Sequence, residues 1–180
     1  MRWFWIDRFT SFESGRSARA VKCVSIAEEQ CDEYFPGHPI MPHTLVIEGL
    51  AQSGGLLVSE TRDFKIRLVL AKIARVHFYD SPRPGEQLRY EVIIQSLQDE
   101  GALVAGTVHV EDRLLAEADL YFARVDGVGG RELFTPIGLL RMLRCFRLFE
   151  VAVDRDGNRL PIPEHLLQAE RDELAQRSGE

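Results

Sequence analysis

The sequence predicts an α+β domain in which one long buried helix is wrapped by an antiparallel β-sheet, with a helical C-terminal extension beyond it. Three observations carry this. From Thr44 to Glu60 the run "TLVIEGLAQSGGLLVSE" is apolar on nearly every side of a helix, the mark of a helix enclosed by protein. Four β-like runs follow it, parted by acidic, proline-bearing or glycine-bearing breaks, as in a meander of hairpins. The glycine-rich "DGVGGRE", Asp126–Glu132, then separates residues 1–125 from an extension over residues 126–180.

The earliest strand signal is "ARAVKCVSI", Ala18–Ile26, preceded by turn residues in "FESGRS". The acidic connector "AEEQCDEYFPG" leads to the long helix, where Thr44 stands in position to cap and Pro42 lies just outside. Gly49, Gly54 and Gly55 each lower helix propensity by up to about 1 kcal/mol relative to alanine, so they are expected to admit neighbouring groups closely. A sheet wrapped round the helix needs that clearance. The meander is "KIRLVLAKIARVHFY", the turn "DSPRPGEQ", then "LRYEVIIQSLQ", "GALVAGTVHVED" and "LLAEADLYFARV". In the extension, Thr135 and Pro136 mark the cap and first turn of a helix in "TPIGLLRMLRCFRLF". "VAVDRDGNRLPIP" suits a short hairpin or turn, and "PEHLLQAERDELAQR" a solvated terminal helix.

A chain of 180 residues holds one ordinary domain with an appendage. Its 22 Lys and Arg against 28 Asp and Glu argue against a general nucleic-acid binder, which needs a basic face for phosphates. Three scattered cysteines without a CxxC pair suit a reducing cytoplasm. The opening "MRWFWIDRF" is too short and too charged for a secretory signal. No run approaches the ~20 apolar residues of a membrane span, so a cytoplasmic protein is expected. A metal site built from Cys23, Cys31, His38 and His43 lacks close ligand pairs, and none is expected. His77 and His109 fall in strands and read as structural.

"FPGHPIMPHTLVIEGLAQSGG" resembles the signature of the β-hydroxyacyl-acyl-carrier-protein dehydratases of type II fatty acid synthesis, the FabZ/FabA group. "ARVHFYDSPRPGEQLRYEV", Ala74–Val92, is similar to the family's second landmark, and "GTVHVEDRLLAEADLYFARV", Gly106–Val125, to its closing strands. The resemblance covers residues 5 to 125. It implies the hotdog fold, a homodimer often built into a trimer of dimers, and sites at the dimer interface where a histidine of one chain faces a carboxylate of the other. It further implies an acyl group carried on the phosphopantetheine of acyl carrier protein, with no metal or redox cofactor.

By that resemblance Glu48 matches the helix carboxylate and Gln52 the family's alanine-glutamine pair. Phe35, Pro36, Gly37 and Pro42, with Gln52, fall at the expected substrate-binding positions. Two positions depart. The family's catalytic histidine directly precedes Phe-Pro-Gly, where this chain has Tyr34, and the glycine after the second turn's proline is here His43.

Dehydrating a 3-hydroxyacyl thioester requires removal of the proton beside the carbonyl, polarisation of that carbonyl and protonation of the departing hydroxyl. Histidine suits the first task, a helix N-terminus the second, and a carboxyl group in apolar surroundings the third. Glu48 fits the last description. A phenol is ionised in only about one molecule in a thousand at neutral pH, so Tyr34 is a poor base, although it could donate a hydrogen bond. His43, at the helix entry, and His38, beyond the Pro-Gly turn, are the other candidates for Glu48's catalytic partner.

The leading expectation is a hydro-lyase forming a trans-2-enoyl thioester with Glu48 and one of His43, His38 and Tyr34. Two alternatives stand beside it: a degenerate subunit that binds acyl carrier protein or pairs with an active paralogue, and a hotdog thioesterase using the helix carboxylate to activate water. Arg141, Arg144 and Arg147 read as a solvated helix face, or else as a landing strip for the acidic carrier protein.

Overall fold

The computed structural model describes residues 3–34, 36–125 and 135–178. Its first strand, β1 (Arg8–Glu13), is one that the sequence pattern hides. Phe9 and Phe12 are both buried although three residues apart, because the register shifts between Phe9 and Ser11. Such a bulge breaks the two-residue alternation that marks a strand. The chain turns at Gly15, which has φ +64°, into β2 (Ser17–Cys23). A short helix α1 (Glu29–Glu33) interrupts the connector.

The central helix α2 (His43–Glu60) begins two residues earlier than a cap at Thr44 would start it. Pro42 is the N-cap, and its carbonyl accepts from Leu45 N at 3.0 Å and Val46 N at 3.3 Å. Thr44 is exposed inside the first turn and makes no cap bond. The fixed φ of proline sets the chain's entry and takes the place of a capping side chain.

After α2 come β3 (Leu68–Phe78), β4 (Gln87–Leu97), β5 (Gly101–Val110) and β6 (Arg113–Arg124). The four match the predicted runs to within a few residues at their ends. The extension adds α3 (Pro136–Cys145), α4 (Leu148–Val151), β7 (Ala152–Val153) and α5 (Glu164–Ser178). The seven-stranded sheet runs in the order β3-β6-β5-β4-β2-β1-β7 and is antiparallel except where β7 lies parallel to β1.

Helix α2 presses one face into the curve of this sheet. A Cβ at Gly49 would lie 2.9 Å from Tyr90 Cε1 and closer still to the phenol end of that ring. At Gly54 a Cβ would meet Val104 and Phe122 at 3.2 Å. These glycines admit sheet side chains against the helix backbone. Tyr90 is fully buried there, and burial pushes its phenol far above the ordinary value.

Beyond residue 135 the chain joins the same core. Thr135 Oγ1 accepts from Gly138 N at 3.2 Å with Pro136 at the start of α3, as the sequence predicts. Leu140, Leu143, Phe146, Leu148 and Leu166 are buried together with Phe9 and Phe12. The Phe146 ring meets Phe4 edge-on at 4.8 Å, and Phe146 O accepts from Phe9 N at 2.9 Å. The predicted turn closes through an Asp154 carboxylate that accepts from Asp156 N and Asn158 N at 2.9 and 2.8 Å. The glycine-rich stretch Asp126–Glu132 lies outside the described residues.

Arg141, Arg144 and Arg147 are solvent-exposed, as the sequence predicts, but each has an acidic partner. Arg141 reaches Glu173 at 2.5 Å and Arg144 pairs with Glu170, so both tie α3 to α5. Arg147 lies past the end of α3 with φ +54° and pairs with Glu150. Carboxylates spaced along the last helix, invisible as partners in a linear reading, partner Arg141 and Arg144. No helix among the described residues is long and apolar enough to cross a membrane.

Candidate active site

A face of α2 that borders the sheet at Phe122 carries Glu48, Ala51, Gln52, Gly55, Leu56 and Ser59. Their spacing of three and four places them in one stripe. The stripe floors a cleft of about 1100 Å³, closed on its far side by Leu139 and Met142 of α3 and Leu166 of α5.

Glu48 is half-buried, and Gln52 one turn later donates Nε2–H to its Oε1 at 2.9 Å. The same amide donates to Trp3 O at 2.9 Å and accepts from Trp5 N on its carbonyl oxygen at 2.9 Å. A primary amide has two N–H donors, and both are used. Because its oxygen takes the Trp5 N–H, Gln52 must turn its nitrogen toward the carboxylate. The glutamine therefore joins the central helix to the N-terminal segment and fixes one oxygen of Glu48.

A second cavity of about 400 Å³ is lined by Tyr34, His38, Ile40, His43 and Ser81. His43 is the most constrained of its candidates. The ring stacks on Phe78 with centroids 4.0 Å apart and planes 5° from parallel, and Nε2 lies in hydrogen-bond contact with Ser81 Oγ at 2.9 Å. Tyr34 is 54% exposed, and His38 is exposed just past Gly37, whose φ is +77°. Pro36 and Gly37 are exposed and Pro42 is buried, while Phe35 lies outside the described residues.

Ser81 and Phe78 are site residues that sequence reasoning misses. Both belong to the quoted stretch "HFYDSP", where strand β3 ends in the proline-rich turn. The turn is brought against the helix entry by Met41 N, which donates to Pro82 O at 2.8 Å. A serine at a strand end beside an aromatic residue was the available signal. The Trp3 and Trp5 backbone groups gave none.

Glu48 and His43 open into different cavities of the one chain. Five residues apart on an α-helix, they point about 140° away from each other. Among the described residues no three His, Cys, Asp or Glu side chains gather as metal ligands.

Residues 3–119 match the family model described as FabA-like domain. The 3-hydroxyacyl-acyl-carrier-protein dehydratase FabZ of Pelotomaculum thermopropionicum is 40% identical over 119 residues, covering 66% of this chain and 85% of the relative. The FabZ of Symbiobacterium thermophilum is 38% identical over 122 residues, covering 67% and 86%. Among solved structures, the dehydratase heterocomplex ApeI:P from Xenorhabdus doucetiae aligns with a TM-score of 0.59 at 12% identity, covering 78% of this chain and 89% of that one. Protein smu.793 from Streptococcus mutans, bound to acetyl CoA, aligns with a TM-score of 0.57 at 17% identity, covering 69% and 93%. At such identities the structures speak for the fold alone, and it is the hotdog fold.

Proposed function

Since the chain belongs to the FabA-like family and shares it with the FabZ dehydratases, we propose that it converts a 3-hydroxyacyl thioester on acyl carrier protein into the trans-2-enoyl thioester and water. The observation that carries this reading is Glu48, held by Gln52 in the wall of an apolar cleft. A base takes the proton beside the thioester carbonyl. The electron pair forms the new double bond as the C–O bond breaks, and Glu48 delivers a proton to the leaving hydroxyl. The first-turn N–H groups of α2, those of His43 and Thr44, precede the first intrahelical bond and supply polarisation of the carbonyl.

His43 is our choice for the base, because stacking on Phe78 and the Ser81 contact hold its imidazole in one orientation. Tyr34 and His38 line the same cavity and serve the substrate rather than the proton transfer. With His43 and Glu48 in separate cavities of one chain, a complete site draws them from two copies. Strand β3 offers the surface for that pairing: it is an edge of the sheet and exposes Val69, Ile73 and Val76. The chemistry asks for no metal or redox cofactor, only for the carrier's phosphopantetheine.

The test follows enoyl absorbance and free thiol together while the purified protein meets a 3-hydroxyacyl-acyl carrier protein. Enoyl formation without thiol release is expected. Thiol release without enoyl would replace the dehydratase with a thioesterase, and carrier binding without turnover would leave a degenerate subunit.

A further inference from the structure

The family match ends at residue 119, yet the cleft beside Glu48 is completed by residues that come after it. Helix α3 supplies Leu139 and Met142, and α5 supplies Leu166. Opposite them the α2 stripe presents Ala51 and Gly55 between Glu48 and Leu56, two small residues that leave the floor low. At Gly55 a Cβ would come within 3.3 Å of the Phe122 ring, itself part of the lining. The cleft is thus polar at the Glu48–Gln52 position and mainly apolar beyond it, although Lys65, Arg67, Arg141 and His165 also border it. At about 1100 Å³ it lies just above the ~300–1,000 Å³ usual for small-molecule sites.

The wall is also fixed. Leu140 and Leu143, on the other side of α3, are fully buried in the common core, as is Leu166 of α5. Strand β7 pairs with β1, and Arg141 and Arg144 bind α5 carboxylates. An extension held by buried leucines, a strand pairing and ion pairs is a wall and not a swinging lid.

We propose that residues 135–178 form the outer wall of the acyl pocket, and that Leu139 and Met142 set its depth so that the protein takes long-chain 3-hydroxyacyl groups. The inference rests on the dehydratase reading for the identity of the reacting end, but the wall itself makes a separate claim about the apolar end. The occupant follows from continuity: a chain attached to a thioester beside Glu48 has this cleft as its apolar continuation.

The experiment uses the full chain with 3-hydroxydodecanoyl- and 3-hydroxybutyryl-acyl carrier protein for turnover, and dodecanoyl- and butyryl-pantetheine for binding by calorimetry. The unaltered protein is expected to favour dodecanoyl in both measurements. Leu139→Trp should lower the dodecanoyl-to-butyryl ratio of kcat/KM at least about tenfold, the scale on which a few methylenes are discriminated in an apolar pocket. Met142→Trp, on the next turn, provides the same test should the first variant fold poorly. Equal binding of the two pantetheines by the unaltered protein, or an unchanged ratio in both variants, would overturn the wall. Absence of turnover with either substrate, alongside dodecanoyl-selective binding that Leu139→Trp removes, would sink the dehydratase reading and uphold the wall.

Discussion

Gln52 donates one amide N–H to Glu48 Oε1 at 2.9 Å while its own oxygen accepts the Trp5 backbone N–H at 2.9 Å. On the proposed reaction the contact makes Gln52 a positioning residue, and its loss should have two separable effects. Gln52→Leu keeps the volume but leaves the Trp5 N–H without its acceptor, which should cost about 1–3 kcal/mol of stability. It should also lower kcat at least about tenfold with little change in KM, because the carboxylate loses its orientation and not its cleft. Urea unfolding and steady-state kinetics read the two effects independently, and an unchanged kcat would remove Gln52 from the site.

Two inactive variants should rescue each other. Glu48→Gln and His43→Ala are each expected to abolish turnover with the fold retained. If the site draws one residue from each copy, dissociating and reassociating an equal mixture makes mixed dimers in which one of two sites is whole. Recovery of about a quarter of full activity follows from random pairing of a two-fold dimer. No recovery after verified subunit exchange would place both groups in one chain's site, or remove His43 from the chemistry.

Gly49 measures how tightly the sheet grips the helix. Alanine is the better helix former by up to about 1 kcal/mol, yet its Cβ would collide with the fully buried Tyr90 ring. Gly49→Ala should therefore destabilise the fold by about 1–3 kcal/mol, the usual cost of overpacking. A double variant with Tyr90→Phe removes the hydroxyl but leaves the ring Cζ, which lies nearer still to the new methyl, so only a minor part of the loss should return in thermal unfolding.

Glu60, at the end of α2, gives stability a pH dependence of known sign. Burial pushes its carboxyl above the ordinary 4.5, and Asp63 adds to the rise, while a hydrogen bond from Ser14 opposes it. The folded state then binds this proton more tightly than the unfolded chain. Its contribution is complete below about pH 4.5 and is lost as pH rises through the folded value. Glu60→Gln should show a smaller fall in Tm than the unaltered protein between acidic and neutral pH. Parallel curves would remove Glu60 as the source.

Local pattern revealed the central helix and the meander because each buries a face on its own period. The glycines of α2 pointed to close packing, and Gly49 against Tyr90 is that packing. Strand β1 escaped notice because its bulge puts Phe9 and Phe12 out of alternation. The docking of the extension escaped for a different reason: the pairing of Arg144 with Glu170, and the cavity that Leu139 shares with the α2 stripe, join residues far apart in the chain. Glu48 was legible as an acid within an apolar run. What steadies it, a glutamine tied to Trp3 and Trp5, depends on where the N-terminal segment passes.

Strand β7 lays Ala152 and Val153 beside Phe12 and Glu13, so the border strand of the sheet is synthesised long after the strand it covers. On the ribosome β1 emerges first and must wait, its outer edge bare, until the central helix, the meander and α3 have followed. The hotdog portion can assemble during that interval, but Phe9 lacks its Phe146 neighbour and Phe12 its flanking strand. A nascent chain at this stage presents aromatic surface and an unpaired strand together, the combination that chaperones bind and that seeds aggregation. Arrest of translation before α3 would leave that hazardous intermediate, rather than a smaller working enzyme.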